Sequence, residues 1–282
     1  MDEMQFKIDG PSFKDGAPIP LVIAALENFQ SILDKSYLVV TDNKKITSRE
    51  REKFYLKATE FKHGSLVTYF EIALQGVQLG LPLISNLGPQ NLWDLTTETF
   101  GFLKTVCAAV QQGKEPTYEF NNSGDVHLRI GDEVHNYHGP VYQIGQLALP
   151  NYQSLAHLLN PTKLTEISAG HRNAANSGIY LGNEDRNAFD IPTKIQKDTI
   201  ELTCEVFDFN KFKNAGKLAV SVAGQNVPLG EYNFTIFGNQ DNVHYIYSML
   251  QPQVKLHCLV EVSISPFGGE EVHKLHITGV GS

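Results

Sequence analysis

The sequence predicts an α+β chain ending in a small all-β domain, and three observations carry that expectation. Residues 1–115 switch between strand-like alternation and helical apolar spacing, in the order β-α-β-β-α. Residues 196–282 are almost wholly strand-like, in short runs separated by turn formers. Between them, 116–195 mixes a hairpin, a short helix and a loop. The polar, turn-rich stretches "QQGKEPTYEFNNSGD" and "NAFDIPTKIQKD" mark the expected boundaries, giving regions 1–115, 116–195 and 196–282.

"MQFKID" at 4–9 alternates and reads as a strand. Pro18 and Pro20 then open a helix through Lys35, since a missing N–H goes unnoticed in a first helical turn. Val22, Leu26, Phe29 and Leu33 fall on one face of it. Residues 53–61 and 65–72 are rich in aromatic and β-branched residues and form the arms of a hairpin turned at Gly64. A second helix runs from Pro89 to Gln112, with Leu92, Leu95, Thr99, Leu103, Val106 and Val110 as its stripe and Gly113 as its stop.

In the middle region "GDEVHNYHGP" (131–140) closes a hairpin, "NYQSLAHLLN" (151–160) is a short helix, and "SAGHRNAANSG" (168–178) is a loop. The four or five short strands that follow suit a small antiparallel barrel of OB or SH3-like kind, or an open sheet. "DNVHYIYSML" interrupts them as a short helical insert.

The 282 residues, 41% of them hydrophobic, suffice for a sizeable core. A net charge of −8 is the opposite of what a nucleic-acid-coating protein carries. Cys107, Cys204 and Cys258 lie far apart without CxxC spacing, so a Cys-rich zinc module is excluded and three reduced, buried thiols are expected. "MDEMQFKIDG" is too polar for a signal peptide, and the expectation is a cytoplasmic protein. No phosphate-loop, dinucleotide or nucleophile-elbow spacing occurs, so no cofactor is expected.

Four stretches could carry function. His127, His135 and His138 sit in the 126–138 hairpin. With a three-residue turn His135 would oppose Arg129 and His127 would oppose Tyr137, while His135 and His138 would face opposite sides. Ligands that do not converge hold no metal, so none is expected there. His171, Arg172, Asn173 and Asn176 could bind an anion with help from backbone N–H groups. Residues 44–63 hold seven Lys or Arg against three Glu, with Phe54, Tyr55 and Phe61 interleaved. Arg49, Arg51, Lys53 and Lys57 would be its nucleic-acid contacts, although the acidic balance of the chain opposes that use.

"ALQGVQLGLPLISNLG" (73–88) is too short and interrupted to span a membrane. Exposed, it would offer Leu79, Leu81, Leu83, Ile84 and Leu87, with Trp93 beyond, to another protein. The expected function is therefore a non-catalytic adaptor, regulator or inhibitor that forms homo-oligomers and binds a partner protein. A nucleic-acid-associated protein and a ligand-binding protein or enzyme centred on 127–178 are the alternatives.

Overall fold

The computed structural model describes residues 4–14, 16–62, 66–75, 88–121, 124–172, 174–222 and 227–281, excluding the side chains of 61–62 and 174–177. The chain divides into two compact units that meet at Asp190 and Ile191. That break falls inside "NAFDIPTKIQKD".

The first unit runs β1 (Met4–Asp9), α1 (Ile19–Thr41), α2 (Ser48–Lys53), β2 (Phe54–Lys62), β3 (Leu66–Leu74) and α3 (Pro89–Gln111). It continues with β4 (Thr117–Phe120), β5 (Val126–Ile130), β6 (Glu133–Tyr137), α4 (Val141–His157), β7 (Glu166–His171) and β8 (Ala174–Gly182). Its main sheet has the order β2-β3-β1-β7-β8, with every pairing antiparallel. Alternation sends Met4, Phe6 and Ile8 to one face, where they are buried. Helices α1, α3 and α4 pack against one another as the covering layer. The Ser36 and Thr96 hydroxyls meet at 2.8 Å between α1 and α3, and Tyr152 of α4 donates to the Thr96 carbonyl at 3.0 Å. Gly113 ends α3 at φ +72, as the stop residue expected there.

Residues 116–195, set apart in the sequence reading, supply α4, β7 and β8 to this same unit. The short helix expected at 151–160 is instead the second half of α4, which passes through Pro150. The buried series Val141, Ile144, Ala148, Tyr152 and Leu155 keeps one register across Pro150. Burial along that face outweighs the backbone hydrogen bond that the proline cannot make. Pro140 stands at the N-cap, where φ −82 suits it. The loop expected at 168–178 is the β7–β8 hairpin.

The small sheet β4-β5-β6 packs an aromatic cluster on α3 and α4. Phe102 meets Tyr118, Tyr137 and Tyr142 at 6.2, 5.3 and 6.4 Å. This second contact explains why α3 buries Phe102, which lies beyond its predicted stripe.

The second unit contains β9 (Thr193–Ile195), β10 (Ile200–Asn210), β11 (Ala215–Val222), β12 (Gly230–Ile236), α5 (Val243–Ser248), β13 (Val254–Ile264) and β14 (Glu270–Val280). Strands β10 to β14 close a five-stranded mixed barrel in the order β10-β11-β12-β14-β13, with β13 returning to β10. The β12–β14 pair is parallel; the other barrel pairs are antiparallel. The expected barrel is present, with one parallel pair in place of uniform antiparallel pairing. The third strand beside the fifth, with a helix between the third and fourth, is the arrangement of an OB-fold. Leu202, Cys204, Leu218, Phe234, Leu256 and Ile277 are among the side chains that fill it. A Cβ at Gly216 would lie 2.1 Å from the Asp208 carbonyl oxygen, so glycine is required where β11 crosses the irregular stretch of β10.

Candidate functional sites

Among the described residues, each unit presents a feature that its own folding does not use up. In the first, α1 crosses β1, β3 and β2 and leaves a cleft of about 540 Å³. The strand register builds its floor: Phe6 opposes Thr68 and Met4 opposes Phe70, putting these side chains on the helix side. Phe29 of α1 stacks on Phe6 with centroids 4.6 Å apart and meets Phe70 edge-on at 5.3 Å. Leu26, Leu56 and Ala58 extend the apolar wall. In this floor sits Thr68, 3% exposed, whose Oγ1 has no hydrogen-bond partner among the described residues. An unmatched buried hydroxyl costs about 1–3 kcal/mol, so it is an unusual thing to leave beneath an open space.

The mouth of the cleft is polar and ordered. Arg51 grips Asp34 through two parallel hydrogen bonds of 2.8 and 2.6 Å. Gln30 donates to Asp34 at 2.8 Å and accepts from the Leu56 N–H at 3.0 Å, tying α1 to β2. Glu27 and Ser31 complete the rim. The volume lies within the range of small-molecule sites, as does the apolar wall with a few placed polar groups.

The basic strip around this mouth is organised differently from the expected nucleic-acid surface. Its first half is the helix α2, capped by Thr47, whose Oγ1 accepts from the Glu50 N–H at 3.2 Å. Arg51 is held by Asp34, and Lys53 bonds Glu50 at 3.0 Å. Tyr37, stacked on Phe54 at 4.4 Å, donates to the other Glu50 oxygen at 2.5 Å. The Tyr37 and then the Lys53 hydrogen bonds hold the Glu50 carboxyl below its ordinary value. Two of the four expected phosphate contacts are thus paired internally, while Arg49 and Lys57 are exposed.

The histidine hairpin turns on two residues, not three. Ile130 pairs with Glu133 across Gly131 and Asp132, and Gly131 takes φ +61, which favours glycine at the first turn position. The register therefore shifts by one from the expected register: His127 opposes Asn136 and His135 opposes Leu128. The two histidines project to opposite faces. His127 Nδ1 lies 2.6 Å from Asn136 Oδ1, and His138 contacts Glu98 at 3.2 Å. Among the described residues no group of three or more His, Cys, Asp or Glu could hold a metal ion.

His171 and Arg172 are likewise separated. His171 ends β7 opposite Met4 and accepts from Gln90 at 3.2 Å. Arg172 lies over the Tyr69 ring at 4.4 Å, with Glu60 at 4.0 Å, on the opposite face of the sheet. Asn173 and the side chain of Asn176 lie outside the described residues, as do Leu79, Leu81, Leu83, Ile84 and Leu87. Trp93, grouped with those leucines as a partner contact, is 1% exposed and packs edge-on against Phe29 and Phe70 at 6.2 and 6.5 Å. It is a core residue. Burial pushes the thiols of Cys107, Cys204 and Cys258 up to about 12, which leaves them protonated and unreactive at neutral pH.

The second unit's feature is the outer face of α5. Tyr245 anchors the helix in the barrel core against Phe209 at 5.6 Å and Phe234 at 6.4 Å. Ser248 is buried beside it. That anchoring turns Val243, Ile246, Tyr247 and Leu250 outward, 47, 43, 62 and 78% exposed. Val243, Ile246 and Tyr247 share one face of α5, and Leu250 continues it in the turn just past the helix end. Asn242 at the start of α5 donates to the Lys211 carbonyl at 3.1 Å and to Asn214 at 3.0 Å. The turn so tethered carries Phe212, 89% exposed. Residues 242–251 contain no Asp, Glu, Lys or Arg.

Sequence reading missed both features. The α5 spacing was visible, but only the burial of Tyr245 tells which face is free. The cleft arises from strand pairing and leaves no local signal. Among the described residues no helix is long and apolar enough to cross a membrane. No family model, curated protein or solved structure matches this chain.

Proposed function

We propose that this chain is a non-catalytic protein-interaction protein, an adaptor, regulator or inhibitor of the cytoplasm, whose interface is the outer face of α5. The observation that carries the reading is the stripe Val243, Ile246, Tyr247 and Leu250, large apolar side chains left in water by a helix that is otherwise firmly anchored. Its lack of charge suits self-association first of all. Two copies of a protein with net charge −8 repel in general, but two α5 faces bring no like charges together. A stripe one helix long makes a small contact, so the interface is expected to be reversible.

Sedimentation velocity at rising concentration tests it. Wild-type chain should shift from 31.4 kDa towards twice that mass. A Val243→Ser, Ile246→Ser, Tyr247→Ser, Leu250→Ser variant should stay monomeric with unchanged circular dichroism. A wild-type monomer at every concentration, together with unchanged crosslinking of wild type and variant to other proteins of the host, would overturn the reading.

The OB arrangement favours a second reading, oligonucleotide binding, because such barrels use the face of their second and third strands. Lys211 and Lys213 flank Phe212 in the first barrel turn and support it. The outward positions of β11 and β12 include Lys217, Ala219, Ser221, Glu231, Asn233 and Thr235, none of them an aromatic on which a base could stack. Single-stranded DNA binding that falls steeply with salt would establish this reading, and its absence at low salt would dismiss it.

A further inference from the structure

From the cleft beneath α1 we infer that the first unit is a receptor for a small, mostly apolar molecule, uncharged or cationic, with one hydrogen-bonding group that reaches Thr68. The walls set the body of the ligand. Phe6, Phe29 and Phe70 present aromatic surface to a space of about 540 Å³, enough for a molecule of two or three fused or linked rings or a short branched chain. Thr68 sets the polar point. Its hydroxyl is buried in the floor with no partner among the described residues, and a hydroxyl both donates and accepts, so a carbonyl, hydroxyl or amine on the ligand satisfies it.

The mouth sets the charge. Asp34 and Arg51 neutralise each other through their paired hydrogen bonds, and Gln30 is committed to Asp34 and to the Leu56 backbone. Glu27 then leaves the rim with one negative charge, which repels carboxylates, sulfonates and phosphates. A fatty acid or nucleotide does not fit this combination. A neutral or cationic aromatic or terpenoid-like molecule does. The inference is independent of the α5 interface, which lies in the other unit.

Two dyes with one skeleton test body and charge together. N-phenyl-1-naphthylamine is uncharged, and 1-anilinonaphthalene-8-sulfonate is the same molecule with a sulfonate; both brighten in apolar surroundings. The 282-residue chain should bind the neutral dye with one-to-one stoichiometry and the sulfonate roughly ten-fold more weakly. Ala58→Phe, which fills the wall from an exposed strand position, should weaken the neutral dye by roughly ten-fold or more while the four-serine α5 variant leaves it unchanged. Glu27→Lys, on an exposed helix position that cannot disturb the core, should bring the sulfonate to the affinity of the neutral dye. No one-to-one binding of the neutral dye, binding lost in the α5 variant, or a sulfonate affinity indifferent to Glu27→Lys would each overturn the inference.

Discussion

The two units leave apolar surface unused in opposite ways. The first gathers Phe6, Phe29 and Phe70 around a space and turns it inward, so only something small enough to enter can use it. The second packs its barrel with side chains and pushes Val243, Ile246, Tyr247 and Leu250 outward, so only something with a surface of its own can use them. The difference follows from closure. A barrel whose first and fourth strands pair closes on itself around its core side chains, so its surplus apolar residues lie outside it, on α5 and at positions such as Phe212 and Leu229. An open sheet covered by helices on one face leaves room wherever a helix and an edge strand diverge, here between α1 and β2.

Substitutions can break or sharpen this contrast. The largest effect belongs to Tyr245, the buried foot of α5. Tyr245→Ala should cost about 3–5 kcal/mol in chemical denaturation, since it empties the barrel core, whereas Leu250→Ser on the outer face should change stability by no more than about 0.5 kcal/mol. Equal effects would mean that α5 has no free face. Next is the mouth of the cleft: Asp34→Ala removes the two-pronged Arg51 contact and the Gln30 bond, with an expected loss of about 1 kcal/mol because Arg51 is 40% exposed and water takes over part of the contact.

Thr68→Val should run the other way. It keeps the shape and removes the unmatched hydroxyl, raising stability by about 1 kcal/mol in the same assay. A loss would place a partner on that hydroxyl in the free protein. The smallest effect is a pH dependence. Glu50 titrates below its ordinary 4.5 in the folded state, so its contribution is complete above about pH 4.5 and disappears as pH falls through the lower folded value. Glu50→Gln should therefore flatten the acid limb of the stability curve, by less than about 1 kcal/mol, and leave the neutral region parallel to wild type.

What the sequence made legible was whatever is written locally. The β-α-β-β-α order, apart from the short α2 that interrupts it, the Gly113 stop and the run of short C-terminal strands all rest on periodicity and turn chemistry. Helix α4 was half-read because the burial that carries it through Pro150 is tertiary. The histidine hairpin was recognised but misregistered: one residue of turn length separates His127 opposite Tyr137 from His127 opposite Asn136, and Gly131 supports either. Arg51 looked like a phosphate contact because Asp34, its partner, lies 17 positions away. The cleft could not be read at all, since it is made by α1, β1, β2 and β3 together, and of α5 only the helix was legible, since its free face is defined by what Tyr245 touches.

The most direct measurement is native mass spectrometry on tagged chain purified gently from its own host, beside the four-serine α5 variant. The expected result is a wild-type species at a multiple of 31.4 kDa, or at 31.4 kDa plus a second protein, with the variant reduced to 31.4 kDa alone. A wild-type chain of 31.4 kDa carrying nothing, or an assembly that survives the α5 substitutions intact, would contradict the account.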